Sequence, residues 1–159
     1  MLDEDLAESV LDAATGHNPM LAEVRIEERL VRQVALKSGE VNSVNSSRDA
    51  GMNVRIVLPT GIGFAASNTV SRSEGLRLVR DALAQAKGAR RSAPVHLSDE
   101  AAVRTKWEVS QRVRLADVAL EEKISRLREI DSSVVSTKVK VQGRYYDLVD
   151  WELSSLFVN

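Results

Sequence analysis

The stretch that decides the fold is Asp49–Asn68, DAGMNVRIVLPTGIGFAASN. Apolar side chains occupy every second position of its first half: Met52, Val54, Ile56 and Leu58. This alternation predicts a strand with one buried face. Pro59-Thr60-Gly61 interrupts the strand, and a second short apolar run follows at residues 62–66. We therefore predict a central hairpin of a sheet, with a turn at residues 49–51 before it and with the glycines of the stretch (Gly51, Gly61 and Gly63) serving turns.

The residues before the hairpin predict a helix and more of the sheet. Residues 3–15 carry an apolar stripe at helical spacing, and Gly16 and Pro19 end that helix. Residues 21–37 predict a long strand because of their alternation over 22–27, although Glu, Arg and Leu would also suit a helix. Ser38-Gly39 predicts a tight turn, residues 40–44 a returning strand and residues 45–48 a polar loop. The result is a meander of about four antiparallel strands, as short connections favour.

The residues after the hairpin predict two helices and further strands. Ser71 and Glu74 have the spacing of a capping box, and the helix that they open would end near Gly88. A helix over residues 117–130 has Asp117 as its candidate N-cap. Residues 134–142 alternate again and predict a strand, which Tyr145-Tyr146 would continue. A last apolar run covers residues 153–158.

These elements together predict an α+β fold. We expect an antiparallel meander sheet with flanking helices, followed by the start of a second helix-strand-strand unit. The predicted domains are an α+β N-terminal unit at residues 1–88, a linker or extended loop at 89–116, and an incomplete unit at 117–159. Residues 89–116 show no sustained period of either kind, and a connection of that length is unusual inside a compact domain.

Composition excludes several classes of protein. The chain has 159 residues, 43% of them hydrophobic and 28% charged, which is typical of a globular domain. The net charge of −1 argues against a dedicated nucleic-acid binder, whose phosphate contacts need clustered positive charge. There is no cysteine, hence no disulfide and no thiolate ligand, which fits a cytoplasmic protein. No apolar run is long enough for a membrane span, and the acidic N-terminus is unlike a signal peptide.

The chain offers no convincing active site of its own, so we predict no catalytic, cofactor-binding or metal-binding residue in it. A catalytic zinc site needs three protein ligands and an open position, but the two histidines are isolated from each other. His17 and His96 could each be a ligand or a base, and the simpler interpretation of both is a surface loop histidine. Trp107 would either anchor a binding partner or pin the linker onto the domain. Gly61-Ile62-Gly63 lacks the further glycine and the lysine of a phosphate loop.

Four runs taken in order resemble the N-terminal domain of the TldD/PmbA family, which was named for modulators of DNA gyrase. They are AEVRIEE at residues 22–28, SGEV at 38–41, GMNVR at 51–55 and GFAAS at 63–67. The Ala-rich run LVRDALAQA at residues 78–86 and the later run LEEKI at 120–124 are similar to helices of the same family. The resemblance covers most of residues 20–159.

The resemblance implies a role that the residues alone do not. The family contains zinc metalloproteases and metal-free partners, with the zinc ligands on a His-Glu-x-x-x-His helix and a cysteine of the C-terminal half. No such position exists in this sequence, so no catalytic residue can be carried over, and zinc is implied only for a full-length TldD-like parent. The resemblance also implies that the family's pattern would continue with Ser-x-Gly after Asn159. In full-length relatives this domain helps to build the dimer and the cleft around unfolded peptide substrates.

Two hypotheses of different classes follow. The first is the N-terminal substrate-cleft and dimerisation domain of a TldD/PmbA-type zinc metallopeptidase, inactive alone. Its partner would be a second copy or a TldD/PmbA-type subunit. A variant of this hypothesis is that the chain is a domain of the metal-free PmbA-like partner subunit. The second is a free-standing α+β binding or scaffold protein. Direct nucleic-acid binding is disfavoured by the near-neutral charge.

Overall fold

The computed structural model describes residues 2–89, 93, 95–99, 103–137 and 139–159. The chain runs through α1 (Glu4–Thr15), β1 (Leu21–Lys37), β2 (Glu40–Leu58), β3 (Gly61–Ser67), α2 (Arg72–Gly88), a short 3-10 turn (Leu115–Asp117), α3 (Leu120–Ser136) and β4 (Tyr145–Val158). The four strands form one sheet in the order β3-β2-β1-β4. The predicted α+β class with an antiparallel sheet and helices is confirmed.

Two tight turns place the consecutive strands β1, β2 and β3 next to one another in the sheet. Ser38 and Gly39 both have positive φ, 50° and 83°, as the two central residues of a type I′ hairpin require, so the predicted turn between β1 and β2 is confirmed. Pro59-Thr60 joins β2 to β3, which pair antiparallel from Met52↔Ser67 to Leu58↔Gly61. The central hairpin predicted from the sequence is therefore confirmed as well.

Strand β2 is longer than the sequence predicts. Residues 45–48 are not a loop and residues 49–51 are not a turn, because one strand continues from Glu40 to Leu58. The type I′ turn aligns β2 with the 17 residues of β1, and pairing along that partner overrides the local turn preference of the polar and glycine residues. Their polarity is tolerated because residues 40–50 are almost all exposed.

Helix α3 is shifted relative to its prediction. It begins at Leu120 with Ala119 as the N-cap, so the assignment of Asp117 as the cap is wrong; Asp117 lies in the 3-10 turn. The helix also continues to Ser136, which makes the strand predicted over 134–142 wrong at its start, and residues 139–142 belong to no strand. The buried residues of α3 are Lys123, Leu127 and Asp131, so its packed face continues one turn beyond Leu127.

The chain divides into two compact units with separate cores. Unit 1 comprises residues 1–29, 49–103 and 153–159, and unit 2 comprises 30–48 and 104–152. The unit 1 core is centred on buried side chains of α1, α2 and the sheet, among them Val10, Val24, Ile26, Met52, Val54, Ile56 and Leu78. The unit 2 core is smaller and consists of Val34, Leu36 and Leu127, with Ile124, Tyr146 and Leu148 packed against them. The domain boundaries drawn from the sequence at residues 88 and 116 stay a prediction, and residues 90–92, 94 and 100–102 of the expected linker lie outside the described residues.

In unit 1 the glycines of β3 permit close approach to α2. A Cβ on Gly63 would lie 1.8 Å from the carbonyl oxygen of Ala82, and one on Gly61 would lie 2.2 Å from the Cβ of Ala89. Both residues lie in β3 rather than in a turn, and neither has a positive φ, so what they supply is space. Gly51 also lies inside a strand and not in a turn, because β2 continues through it from Glu40 to Leu58. The turn role assigned to these three glycines is corrected accordingly.

The N-termini of the first two helices are both capped by side chains, and of the two caps the sequence predicted Ser71. The Asp3 carboxylate accepts from the N–H of Leu6 at 2.9 Å, and the Ser71 hydroxyl accepts from the N–H of Glu74 at 3.3 Å. None of the described helices combines the length and the apolar character that crossing a bilayer would require.

Candidate functional site

The residues that the sequence singled out do not come together. His17 and His96 are both exposed, in separate surface segments. Within the described ranges, no three His, Cys, Asp or Glu side chains are grouped closely enough to hold a metal ion. Trp107 is 80% exposed, so it does not pin the linker onto the domain, and that interpretation is wrong.

A group of charges centred on the buried pair Lys123–Asp150 lies instead in unit 2. The Lys123 ammonium donates to Asp150 Oδ2 at 2.7 Å and to the carbonyl oxygen of Leu115 at 2.9 Å. Arg32 donates from Nε to Asp150 Oδ1 at 2.9 Å and from Nη2 to Glu152 at 2.7 Å. The Asp150 carboxylate is thus held by a cation on each oxygen, and the two cations balance two carboxylates. We call Arg32, Lys123, Asp150 and Glu152 the charge cluster.

Three members of the charge cluster, Arg32, Lys123 and Asp150, line a cleft of about 360 Å³ in unit 2. Strands β1 and β2, the residues beside the 3-10 turn and the first turn of α3 contribute the other walls. The described lining is half apolar and half polar or charged, and comprises Arg32, Gln33, Val34, Val44, Asn45, Ser46, Ala116, Val118, Ala119, Leu120, Lys123 and Asp150. A concave surface that combines apolar side chains with fixed polar groups is the usual form of a small-ligand or peptide pocket.

A second ionic contact in unit 2 joins α3 to the start of β4. Arg144 donates from Nε to Asp131 Oδ1 at 2.6 Å and from Nη2 to Oδ2 at 3.2 Å, which is a bidentate pair. These hydrogen bonds lower the pKa of the Asp131 carboxyl. Burial, together with the hydrogen bond to Asp131, raises the pKa of Tyr146 beside it. The pair therefore fastens the end of a helix to the sheet.

We expect the Asp131–Arg144 pair to make stability depend on pH. An Asp whose pKa is depressed in the folded state adds stability above its unfolded pKa of about 4, and loses that contribution as the pH falls through the folded value. Asp131→Asn should therefore be less stable than the wild type at pH 7, and the difference should shrink as the pH falls below about 4. Urea unfolding from pH 7 to pH 2 measures it.

Asp99→Asn is the matched control, because Asp99 is exposed and its replacement should change stability by less than about 0.5 kcal/mol. A gap between wild type and Asp131→Asn that stays constant down to pH 2 would contradict the assignment.

The geometry suits binding and fastening better than proton transfer. Each charged group of the cluster already has an opposite charge as its hydrogen-bond partner. No cysteine exists in the chain, and neither histidine lies in the cleft.

Sequence reasoning missed the charge cluster, although a signal was present. Arg32 and Asp150 both occupy the core-facing parity of their strands, where neighbouring positions such as Val34, Leu36 and Leu148 are apolar. Two opposite charges at core-facing positions of different strands predict a buried pair, because a buried ion needs a partner. The separation of 118 residues between them hides that relation from any local pattern.

Comparison with known proteins places this chain beside one family. Residues 22–86 match the family model described as PmbA/TldA metallopeptidase domain 1. A metalloprotease of Methanocaldococcus jannaschii is 26% identical over 121 residues, which cover 75% of this chain and 27% of that protein. The chain thus spans about a quarter of the length of this relative.

Solved structures share the fold. A protein of Bacteroides thetaiotaomicron described as a modulator of DNA gyrase matches with a TM-score of 0.80 at 14% identity, over 99% of this chain and 37% of that one. TldE of Thermococcus kodakarensis matches with a TM-score of 0.68 at 14% identity, over 96% of this chain and 34% of that one. A further protein described as a modulator of DNA gyrase, from Thermotoga maritima, matches with a TM-score of 0.66 at 11% identity, over 98% and 34%.

Proposed function

Residues 22–86 of this chain are a first domain of the PmbA/TldA metallopeptidase family, and from this premise we propose that the chain is a non-catalytic, substrate-cleft and dimerisation part of such a peptidase. The observation that carries the proposal is the family match over β1 to α2, together with a chain that has two histidines, no cysteine and no His-Glu-x-x-x-His run. Catalysis would then belong to residues outside this sequence.

The metal that the family name implies does not fit the residues present. Zinc in a hydrolytic site takes His, Cys or carboxylate ligands arranged around one point. His17 and His96 are exposed and lie in different segments, and the buried carboxylate of Asp150 is already occupied by Arg32 and Lys123. No step of hydrolysis is therefore assigned to this chain.

The unit 2 cleft supports the substrate-cleft part of the proposal. Its lining of apolar side chains with the polar side chains of Gln33, Asn45 and Ser46 suits an extended unfolded peptide, whose apolar side chains and backbone amides need both kinds of surface. Lys123 and Arg32 hold the Asp150 carboxylate of the lining by hydrogen bonds.

We expect the isolated chain to bind no stoichiometric zinc and to cleave no peptide. Atomic absorption after dialysis against zinc, and release of fluorescence from a labelled unfolded protein, measure the two quantities. The control is the same pair of measurements on a full-length relative that has the zinc motif. Stoichiometric zinc together with turnover by this chain would overturn the proposal.

The metal-free partner role is the second candidate, and the structural likeness to a TldE protein favours it. In that case the partner would be a peptidase subunit of the same family, and the chain would act in the cytoplasm, which the absence of cysteine fits. Mixing the chain with a zinc-loaded family peptidase and measuring peptide cleavage separates the two roles. Stimulated cleavage supports the partner role, and unchanged cleavage supports the first proposal.

A further inference from the structure

A buried cation of the unit 2 cleft has a hydrogen-bond donor to spare. The side chain of Lys123 is 7% exposed and lines the cleft. Its ammonium carries three N–H groups, and the described acceptors, Asp150 Oδ2 and the carbonyl oxygen of Leu115, take two of them. A buried donor without an acceptor costs free energy. The remaining N–H therefore favours a ligand that brings an acceptor atom into the cleft.

The first turn of α3 adds backbone donors to the same cleft. Ala119 is the N-cap of this helix, and its methyl side chain cannot accept a hydrogen bond. Among the described residues, no group accepts from the N–H of Leu120, Glu121 or Glu122. Both Ala119 and Leu120 belong to the lining of the cleft. Such N–H groups are satisfied by a side chain, by water or by a ligand, so they favour an acceptor for a second reason.

The charges around the cleft decide between a neutral acceptor and an anion. The charge cluster contains two cations and two carboxylates, so it offers no excess positive charge. Glu121 and Glu122 place two further negative charges in the first turn of α3. These carboxylates would repel an anion and offset the attraction of the helix dipole for it. A carbonyl oxygen accepts the same hydrogen bonds and does not meet this repulsion.

The apolar half of the lining suits an aliphatic substituent on that carbonyl compound. Val34, Val44, Val118 and Leu120 lie along the cleft. The side-chain amide of Asn45 is part of the same lining, and it can accept from an N–H group. The volume of about 360 Å³ is near the lower end of the range of roughly 300–1,000 Å³ for small-ligand pockets, so the cleft holds a short segment.

We infer that the unit 2 cleft binds the interior of an apolar peptide segment through a neutral backbone carbonyl, and discriminates against the free carboxylate of a chain end. The carbonyl oxygen would accept from Lys123 and from the first-turn N–H groups of α3. Asn45 would accept from a neighbouring N–H of the peptide. This inference rests on the proposed substrate-cleft role, and it adds which part of a peptide the cleft recognises.

Two small probes that differ at one end test the inference on the chain itself. They are acetyl-leucine methylamide, which mimics the interior of a peptide, and acetyl-leucine, whose carboxyl group is ionised at pH 7. The methylamide should bind at least about tenfold more tightly in NMR titrations of the isotope-labelled chain. It should also shift the N–H signals of Leu120 and Glu121. Equal affinities, or tighter binding of acetyl-leucine, would overturn the inference.

A third probe tests the apolar contact. Acetyl-glycine methylamide keeps both carbonyl groups and lacks the aliphatic side chain. It should bind about tenfold more weakly than acetyl-leucine methylamide, because burial of a leucine side chain stabilises a complex. Equal affinity of the two methylamides would contradict the role assigned to the valines and to Leu120.

The variant Ala119→Asn supplies the missing helix cap from within the chain. Its side-chain oxygen should accept from the first-turn N–H groups of α3, which raises Tm and weakens binding of acetyl-leucine methylamide by about fivefold. Ala116→Asn is the matched control, because it adds the same side chain to the lining away from the N-cap, and it should change the affinity by less than about twofold. Circular dichroism checks that both variants fold. Unchanged affinity of Ala119→Asn would show that the α3 donors do not bind the carbonyl.

The outcomes separate this inference from the proposed function. Equal binding of acetyl-leucine and its methylamide would refute the preference for a neutral carbonyl and leave a peptide cleft in place. If neither probe binds, both the inference and the substrate-cleft part of the proposed function are wrong, while membership of the family stands. Zinc-dependent turnover by the chain itself would refute the non-catalytic role whatever the probes do.

Discussion

Lys123→Ala is expected to lower the free energy of unfolding by about 3–5 kcal/mol, because it leaves the buried Asp150 carboxylate with only one of its two cationic partners. The side chains of Lys123 and Asp150 are 7% and 2% exposed, and their atoms are 2.7 Å apart. Arg32 would remain on the other oxygen, but it also serves Glu152. The carbonyl oxygen of Leu115 would lose its donor as well, so the 3-10 turn should loosen with it.

Urea unfolding at pH 7, followed by circular dichroism, measures this loss. Lys140→Ala is the matched control, since Lys140 is exposed and its replacement should cost less than about 0.5 kcal/mol. The double variant Lys123→Met, Asp150→Leu removes both charges and should recover most of the stability, because buried ion pairs are often replaceable by apolar groups of similar size. If the double variant is less stable than Lys123→Ala, the cost does not come from an uncompensated charge.

Gly63→Ala is expected to destabilise the chain by about 3 kcal/mol, at the upper end of the cost of overpacking. The new Cβ would lie 1.8 Å from the carbonyl oxygen of Ala82 and 2.8 Å from the backbone nitrogen of Ala86. Both obstacles are backbone atoms of α2, so no side-chain rotation relieves the clash. The helix must move away from β3, and the packing between them is lost.

Gly88→Ala makes the same change at the end of the same helix, where a Cβ would meet nothing within 4 Å. It should leave stability unchanged or raise it by up to about 1 kcal/mol through the better helix propensity of alanine. Thermal unfolding of both variants compares them on one scale. Equal midpoints for Gly63→Ala and the wild type would show that α2 adjusts at little cost.

Local sequence patterns predicted local structure well. Ser38-Gly39 predicted the tight turn between β1 and β2, the alternation over residues 52–58 predicted the strand that pairs with β3, and Ser71 predicted the start of α2. Each of these features depends on residues within a few positions of one another. One error came where a distant partner decides, because pairing with β1 keeps residues 45–51 extended. Residues 134–136 continue α3 past its last buried side chain, Asp131.

Packing roles were also hidden from the sequence. Gly75 lies in the first turn of α2, and its missing Cβ makes room for Val10 of α1, whose Cγ2 would lie 2.4 Å from an added Cβ. The charge cluster was missed because Arg32 and Asp150 are 118 residues apart. The family resemblance, by contrast, depends only on the order of short motifs along the chain, which no long-range contact determines.

The β1–β2 turn has a consequence for anyone who wishes to label or split this protein. A two-residue surface turn is normally the first choice for inserting a tag. Here Gly39 has a φ of 83°, its carbonyl oxygen accepts from Arg128, and an added Cβ would lie 3.0 Å from the carboxylate of Asp131. The tip of the hairpin therefore helps to hold α3 in place, and an epitope inserted there would break its contacts with that helix.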